Sequence, residues 1–356
     1  MNIVHVVGAR PNFVKAAPVL RALSRHSGMR QLLVHTGQHY DADMSQVFFT
    51  ELGMPQPDID LGVGSGTHAQ QTAAIMLGFE AVLSNAKPDL VIVYGDVNST
   101  SAAAQVCAKM GVRVGHVEAG LRSFDRRMPE EINRVITDQI SDLLFTPSQD
   151  GNVNLLREGV PAKKLHLVGN VMIDTLVRLL PQAAAEDAGD VPERFALVTL
   201  HRPSNVDDPG QLKSILAALE SISGDLQIMF PVHPRTRQRI ADLGFEARNG
   251  HLRFFAPMPY LRFIALERRA AVVVTDSGGI QEETTYLGVP CLTLRENTER
   301  PVTVAVGTNI VVGRDPRRLC DEVQQILLGK RKQGAVPALW DGHAAERIAG
   351  VIASST

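Results

Sequence analysis

At 356 residues the chain is about twice the usual domain size, so two domains are expected, each large enough to bury a core. Hydrophobic residues at 44% and charged residues at 21% exclude a disordered or fibrous chain. A formal net charge of -2 excludes a global field that would draw the protein to nucleic acid or anionic membrane, so any anionic ligand has to be met locally. Cys107, Cys291 and Cys320 stand far apart without CxxC spacing, which argues for buried thiols in a reducing compartment rather than a disulfide framework. No signal-peptide pattern and no run of 18 apolar residues is found, so a cytoplasmic protein is expected.

In chain order, NIVHVV is a short β-branched run broken at Gly8, and Pro11 to about Leu23 carries apolar residues at helical intervals. The strand pattern recurs in QLLVHT (31–36), DLVIVYGD (89–96), VRVGHVE (112–118) and LLFTPS (143–148), with helical stretches between most of them. Strands apolar on both faces that alternate with helices predict an α/β fold with a parallel, doubly wound sheet. After VGNVMIDTLVRLLP the segment AAAEDAGDVPER loses its periodicity, and a second series follows: FALVTLH (195–201), LQIMFPVH (226–233), LRFFAP (252–257), AVVVTDSGG (271–279) and CLTL (291–294). DGHAAERIAGVIA reads as a closing helix. The expected organisation is a Rossmann-like domain over 1–172, a second over 173–340, and a terminal helix over 341–356 that packs back toward the first. Two such domains are expected to face each other across a cleft, with ligands at the carboxyl ends of the strands.

The polar residues at those strand ends are therefore the candidates. Ser277, Gly278 and Gly279 sit between an apolar strand and a helix, where small residues let amides approach a phosphate and the helix dipole adds positive charge. The plain structural alternative is a tight turn. Glu282 and Glu283 follow in the first helical turn, and either can reach a ribose hydroxyl pair. In GARPNFVK, Arg10 is held at a turn by the proline after it and offers a forked guanidinium, with Lys15 on the next helix. That turn lacks GxGxxG, so a nicotinamide cofactor is not supported. Asp96 and Glu118 each follow a strand and are expected on one rim of one sheet, with Glu130 and Glu131 shortly after; neighbouring carboxylates can divide into acid and base roles. The structural alternatives are helix capping for the first two and dipole complementation for the others. His201 and His233 close equivalent strands of the second series, while His39 and His68 fall in predicted loops. No metal-ligand spacing is present, and no metal is expected.

The motifs GARPNFVK, HTGQHYDADM, YGDVNST, HVEAGLRSFDRRMPEEINR, LHRPSN and TDSGGIQEE, in this order, resemble the non-hydrolysing UDP-N-acetylglucosamine 2-epimerases, over residue 1 to about 315. The resemblance implies a glycosyltransferase-B-like fold, no cofactor, a UDP-sugar substrate, and a homodimer. It implies reversible epimerisation at sugar C2 by elimination and re-addition of UDP through a 2-acetamidoglucal. Carried over by position, it places Arg10 at the diphosphate, Ser277, Gly278 and Gly279 at the phosphates, Glu283 on the ribose, and His233 with Pro257 to Tyr260 near the nucleotide. Asp96, Glu118, Glu130 and His201 match the catalytic positions, and Lys15, Asn98, Arg122 and Glu131 supporting contacts.

Departures are visible too. Many bacterial members have an HRRE-type segment where this chain has His201-Arg202-Pro203-Ser204-Asn205, and a glutamine- or glutamate-bearing stretch where it has Tyr40-Asp41. Those positions help bind a second, activating UDP-sugar, so allosteric activation is not expected here. The HTGQH, SGTH and HPRTR segments look closer to archaeal-type members and to epimerases of UDP-2,3-diacetamido-glucuronate sugars, which leaves that substrate as the alternative. A glycosyltransferase of the same architecture would need an acceptor site, and none is identifiable. A catalytically silent sensor would have no use for Asp96, Glu118, Glu130 and His201 together.

Overall fold

The computed structural model describes residues 1–38, 49–186, 191–248 and 250–355. It divides into two compact units, one of residues 1–178 with 338–356 and the other of residues 179–337. The divisions expected from the sequence fall at 172/173 and 340/341.

The first unit is built on a seven-stranded parallel sheet of order β3-β2-β1-β4-β5-β6-β7. Its strands are β1 (Asn2–Val7), β2 (Arg30–His35), β3 (Ile59–Asp60), β4 (Leu90–Tyr94), β5 (Arg113–Val117), β6 (Leu143–Thr146) and β7 (Leu165–Leu167). The expected strands all form; β3 and β7 are additional. Each is two or three residues long at a sheet edge, too short for a periodic signal.

Side chains alternate across this sheet as a period of two requires. Val4, Val6, Val91, Val93 and Val114 pack with Phe79, Val82 and Leu83 of α2 (His68–Ala86) and with Ala103, Ala104 and Cys107 of α3 (Asn98–Met110). The other helices that bear on the site are α1 (Arg10–Leu23) and α4 (Pro129–Ile140). The closing helix, Ala344–Ser354, packs on α1, and Asp174 caps it by accepting from the amides of Ala344 and Ala345 at 3.1 and 2.7 Å. Trp340, the one tryptophan of the chain, is buried in this unit and donates its indole N–H to the Pro147 carbonyl at 2.9 Å.

The second unit has a six-stranded parallel sheet of order β10-β9-β8-β11-β12-β13. Its strands are β8 (Phe195–Thr199), β9 (Gln227–Pro231), β10 (Leu252–Phe255), β11 (Val272–Thr275), β12 (Cys291–Thr293) and β13 (Asn309–Val311), the last an edge strand the sequence pattern did not reveal. Ala196, Val198, Val272 and Val274 face one helix layer, while Phe195, Leu197 and Val273 face the other. Cys107 and Cys291 are buried and free, and burial pushes both thiols up to about 12; Cys320, expected to be buried, is only partly so.

Both sheets share one topological feature. The chain runs outward from β1 through β2 to β3 and then returns to place β4 on the other side of β1; in the same way β11 returns beside β8. The loops after β1 and β4, and those after β8 and β11, therefore diverge and open a crevice at the carboxyl rim of each sheet. Among the described residues no helix is long and apolar enough to cross a membrane.

Candidate active site

The rim of the first sheet gathers most of the predicted residues of that unit. β4 and β5 are neighbours in parallel register, and the Gly95 amide donates to the Val117 carbonyl at 3.0 Å, so the turns bearing Asp96 and Glu118 lie side by side. Glu118 has φ +75°, a left-handed conformation that costs a non-glycine residue about 1–2 kcal/mol. Such strain persists only where the surroundings impose it, and it clusters at functional sites. Here the carboxylate is fixed by the Lys15 ammonium, both side chains being 4% exposed. Gly95 (φ +63°) closes the space above the pair: a Cβ there would lie 2.7 Å from Lys15 Nζ and 3.2 Å from Glu118 Oε2.

Asp96 is not the cap of the helix that follows, since Val97 occupies the N-cap. Its carboxylate instead meets the Arg134 guanidinium, reaching it from α4. Arg134 also binds Glu131 Oε2 at 2.7 and 3.1 Å, and Glu131 accepts further from the amides of Ser123 and Phe124 at 2.9 Å each. Burial would raise this carboxyl, but the Ser123 amide and Arg134 outweigh it and hold Glu131 below its ordinary range. Glu131 is thus committed to shaping the loop before α4, which distinguishes it from its neighbour. Glu130, one residue earlier, is half-buried in the first turn of α4.

The remaining candidates of this unit fall into place around the rim. Asn98 is the first residue of α3; its amide lies 2.9 Å from Gln71 Oε1 and about 3.1 Å from His68 Nδ1, which places His68 at the head of a helix rather than in a loop. Arg10 is the first residue of α1, and Asn12 takes up the amides of Gly8 and Ala9 at 3.0 and 3.2 Å. Arg122 is held on several sides. Its Nε and Nη2 bind Glu158 at 2.8 and 2.7 Å, and its Nη1 binds Asp138 and the Leu121 carbonyl at 2.7 Å each, so the guanidinium is spent inside the protein. His39, Tyr40 and Asp41 lie outside the described residues.

In the second unit, His201 follows β8 with its ring more than half exposed, and Nδ1 lies 2.8 Å from Asp276, which is itself fully buried. Asp276 accepts from the amides of His201 and Arg202 at 3.1 and 2.9 Å and from Asn205 Nδ2 at 3.0 Å. Burial works against its charge, yet the His201 and Asn205 hydrogen bonds prevail and hold its carboxyl below the usual value. An exposed imidazole oriented by a buried carboxylate is the arrangement that proton transfer asks for.

The turn after β11 carries Ser277, Gly278 and Gly279. Ser277 is the N-cap of α5 (Gly278–Leu287), without using its side chain to cap. Gly278 leaves room for a neighbour: a Cβ there would sit 2.2 Å from Arg300 Nη1, so the Arg300 guanidinium lies against the helix's first residue. Arg300 is itself held by Glu299 and, at 2.9 Å, by Glu282. Glu283 is buried and accepts from the Tyr260 hydroxyl at the start of the helix Tyr260–Glu267. Burial, with Glu282 adding repulsion against the Tyr260 bond, pushes Glu283 up to about 7. Burial and the Glu283 charge likewise raise Glu267. His233 caps its helix through Nδ1, which accepts from the Arg235 amide at 3.3 Å and leaves Nε2 to carry the proton. Pro257 lies in the exposed loop after β10.

Asp276, Arg134 and Asp138 were missed in the sequence. A signal existed for Asp276, which directly follows β11; for the other two only the folded helix α4 reveals what they meet. Among the described residues no group of three or more His, Cys, Asp or Glu side chains is placed to hold a metal ion.

A family model described as UDP-N-acetylglucosamine 2-epimerase matches residues 21–353. The UDP-N-acetylglucosamine 2-epimerase of Methanocaldococcus jannaschii is 41% identical, covering 99% of each chain. The UDP-2,3-diacetamido-2,3-dideoxy-D-glucuronate 2-epimerase of Pseudomonas aeruginosa is 42% identical, again over 99% of each. A crystal structure of the Methanocaldococcus jannaschii enzyme in complex with UDP-GlcNAc and UDP superposes with a TM-score of 0.93, covering 99% of this chain and 100% of that one. Sequence motifs, paired parallel sheets and full-length similarity agree: this chain has the glycosyltransferase-B-like fold and belongs to the UDP-N-acetylglucosamine 2-epimerase family.

Proposed function

We propose that the protein interconverts UDP-N-acetylglucosamine and UDP-N-acetylmannosamine without a redox cofactor. The observation that carries this reading is the pair of adjacent strand-end turns bearing Asp96 and Glu118, each carboxylate held by a cation, Arg134 and Lys15. The sugar C2–H has no adjacent carbonyl to acidify it, so direct proton exchange is too slow. Breaking the C1–O bond removes that obstacle: the bonding pair leaves with UDP, a base takes the C2 proton, and the C–H pair becomes the C1–C2 double bond of a 2-acetamidoglucal. Protonation of C2 on the opposite face and return of UDP oxygen to C1 restore the balance.

Two faces need two proton-handling groups, and in this proposal Asp96 and Glu118 supply them with Glu130 assisting. His201, oriented by Asp276, serves the departing diphosphate, whose growing charge is met by Arg10 and the N-terminus of α5. Ser277, Gly278 and Gly279 hold phosphate, Glu283 the ribose, and His233, Pro257 and Tyr260 the rest of the nucleotide. Arg122 and Glu131 act through the loops they anchor, Lys15 through Glu118, and Asn98 at the rim. A cytoplasmic homodimer completes the reading, checked by light scattering of the purified protein.

Incubation in heavy water is the test. The reading expects deuterium at C2 and a gluco and manno mixture with no NAD added, and Asp96→Asn abolishes exchange while keeping UDP binding. Unimpaired exchange in that variant removes Asp96 from the mechanism. The near-equal identity to the Pseudomonas aeruginosa relative favours running the 3-acetamido uronate analogue in parallel, with faster turnover on the analogue assigning it as substrate.

A further inference from the structure

Behind the two turns of the first unit lies a buried ionic group of Asp138, His116 and Arg122. Asp138, in the third turn of α4, is enclosed completely. Its Oδ1 accepts from His116 Nδ1 at 2.7 Å, and its Oδ2 accepts from the Gly120 amide at 3.1 Å and Arg122 Nη1 at 2.7 Å. His116, on β5, donates from its other ring nitrogen, Nε2, to the Gly95 carbonyl at 2.7 Å. The Gly95 carbonyl belongs to the peptide bond that carries Asp96. The Gly120 amide lies two residues beyond Glu118. One carboxylate thus bonds directly to one catalytic turn and, through an imidazolium, to the other.

These turns need an external constraint. Gly95, Glu118 and Gly120 all have positive φ, at +63°, +75° and +82°, and the value at Glu118 is a strained one. Burying a carboxylate, an imidazolium and a guanidinium together is a weak route to stability, since well-packed apolar groups do as well or better. Its distinguishing property is direction: three hydrogen bonds fix two turns to one point.

We propose that Asp138 is a positioning residue that sets the Asp96 and Glu118 turns relative to one another for proton transfer at C2. The inference rests on the function proposed above. An isosteric Asp138→Asn substitution turns one oxygen into an NH2, which opposes the His116 donor or the Gly120 and Arg122 donors. A misplacement of about 1 Å costs on the order of 100-fold in rate.

The test uses the full chain and UDP-N-acetylglucosamine in heavy water. For Asp138→Asn we expect kcat for C2 exchange to fall about 100-fold, KM and UDP affinity to stay within about threefold, and more glycal to be released per epimer formed. Glu158→Gln is the comparison: Glu158 belongs to the same ionic chain through Arg122 but bonds to neither turn, so it loses thermal stability and keeps kcat. Should Asp138→Asn fail to fold, His116→Phe and His116→Gln decide. The first removes the donor to Gly95 and loses kcat, and the second restores an N–H and recovers at least tenfold of it. A folded Asp138→Asn with wild-type kcat, kcat in Glu158→Gln falling as far as in Asp138→Asn, or equal kcat in the two His116 variants would overturn the proposal. Wild type and Asp96→Asn run alongside: if wild type exchanges and Asp96→Asn does not, those results bear on Asp138 alone. If wild type fails to exchange, the functional reading falls and this inference with it.

Discussion

Replacing Lys15 by Met removes one half of an ion pair whose two side chains are each 4% exposed, and takes the Lys15 ammonium away from the Glu118 carboxylate beside Gly95. Breaking a buried pair from one side costs about 3–5 kcal/mol, because the surviving charge has lost its compensation. Proximity to the rim lets water or a proton relieve part of this, so the lower figure, about 3 kcal/mol, is expected. Glu118→Gln strands the ammonium and costs a similar amount. The double variant strands neither charge and loses no more than either single one, giving a coupling of about 3 kcal/mol.

The reporter is built in. Trp340 is the one tryptophan and is buried in the first unit, so its fluorescence follows the unfolding of that unit alone. For a unit of about 200 residues, 3 kcal/mol corresponds to a fall in melting temperature of roughly 6–12 °C. Additivity of the two substitutions within about 0.5 kcal/mol would refute the claim that these side chains are a compensated buried pair.

Gly278→Ala, whose Cβ would fall 2.2 Å from Arg300 Nη1, is expected to displace that guanidinium and weaken UDP binding at least about tenfold, read by calorimetry. Asp276→Asn removes the anion that orients His201 and is expected to lower kcat about 100-fold with UDP affinity nearly unchanged, read in the exchange assay. The pH dependence of the second unit follows from Glu283, held at about 7 by burial and Glu282 against an ordinary value of 4.5, with Glu267 raised in the same direction. The folded state keeps the Glu283 proton longer than the unfolded chain, so this contribution is complete below about 4.5 and is lost as pH rises through about 7. Hydrogen exchange across Gly278–Leu287 is expected to quicken over that window, and a double Glu267→Gln, Glu283→Gln variant is expected to flatten the trend.

What the sequence disclosed followed from side-chain periodicity. Continuous apolar runs such as LVIVY and VVVT are buried on both faces, and only a parallel sheet between helix layers does that. Asp96, Glu118, His201 and the Ser277 turn were legible because each directly follows such a run, at the edge where ligands gather. β3, β7 and β13 were not, because two or three residues at an edge carry no period. Nor was the work of α4: spacing places Glu131, Arg134 and Asp138 on one helix, but not which of them meets Asp96, Ser123 or His116. Nor did it show that Glu131 takes up the amides of Ser123 and Phe124, residues brought near by the loop rather than by any helical interval. The partners of Arg122, Asp138 and Glu158, were hidden for the same reason, since they lie on other elements.

The central claim is that the nucleotide leaves the sugar during turnover, and the most direct measurement starts from the detached pieces. Supplied with UDP and synthetic 2-acetamidoglucal in heavy water, the enzyme is predicted to produce UDP-N-acetylhexosamine deuterated at C2, and the Asp96→Asn variant to produce none. A preparation that epimerises UDP-N-acetylglucosamine yet never joins UDP to the glycal would contradict the account.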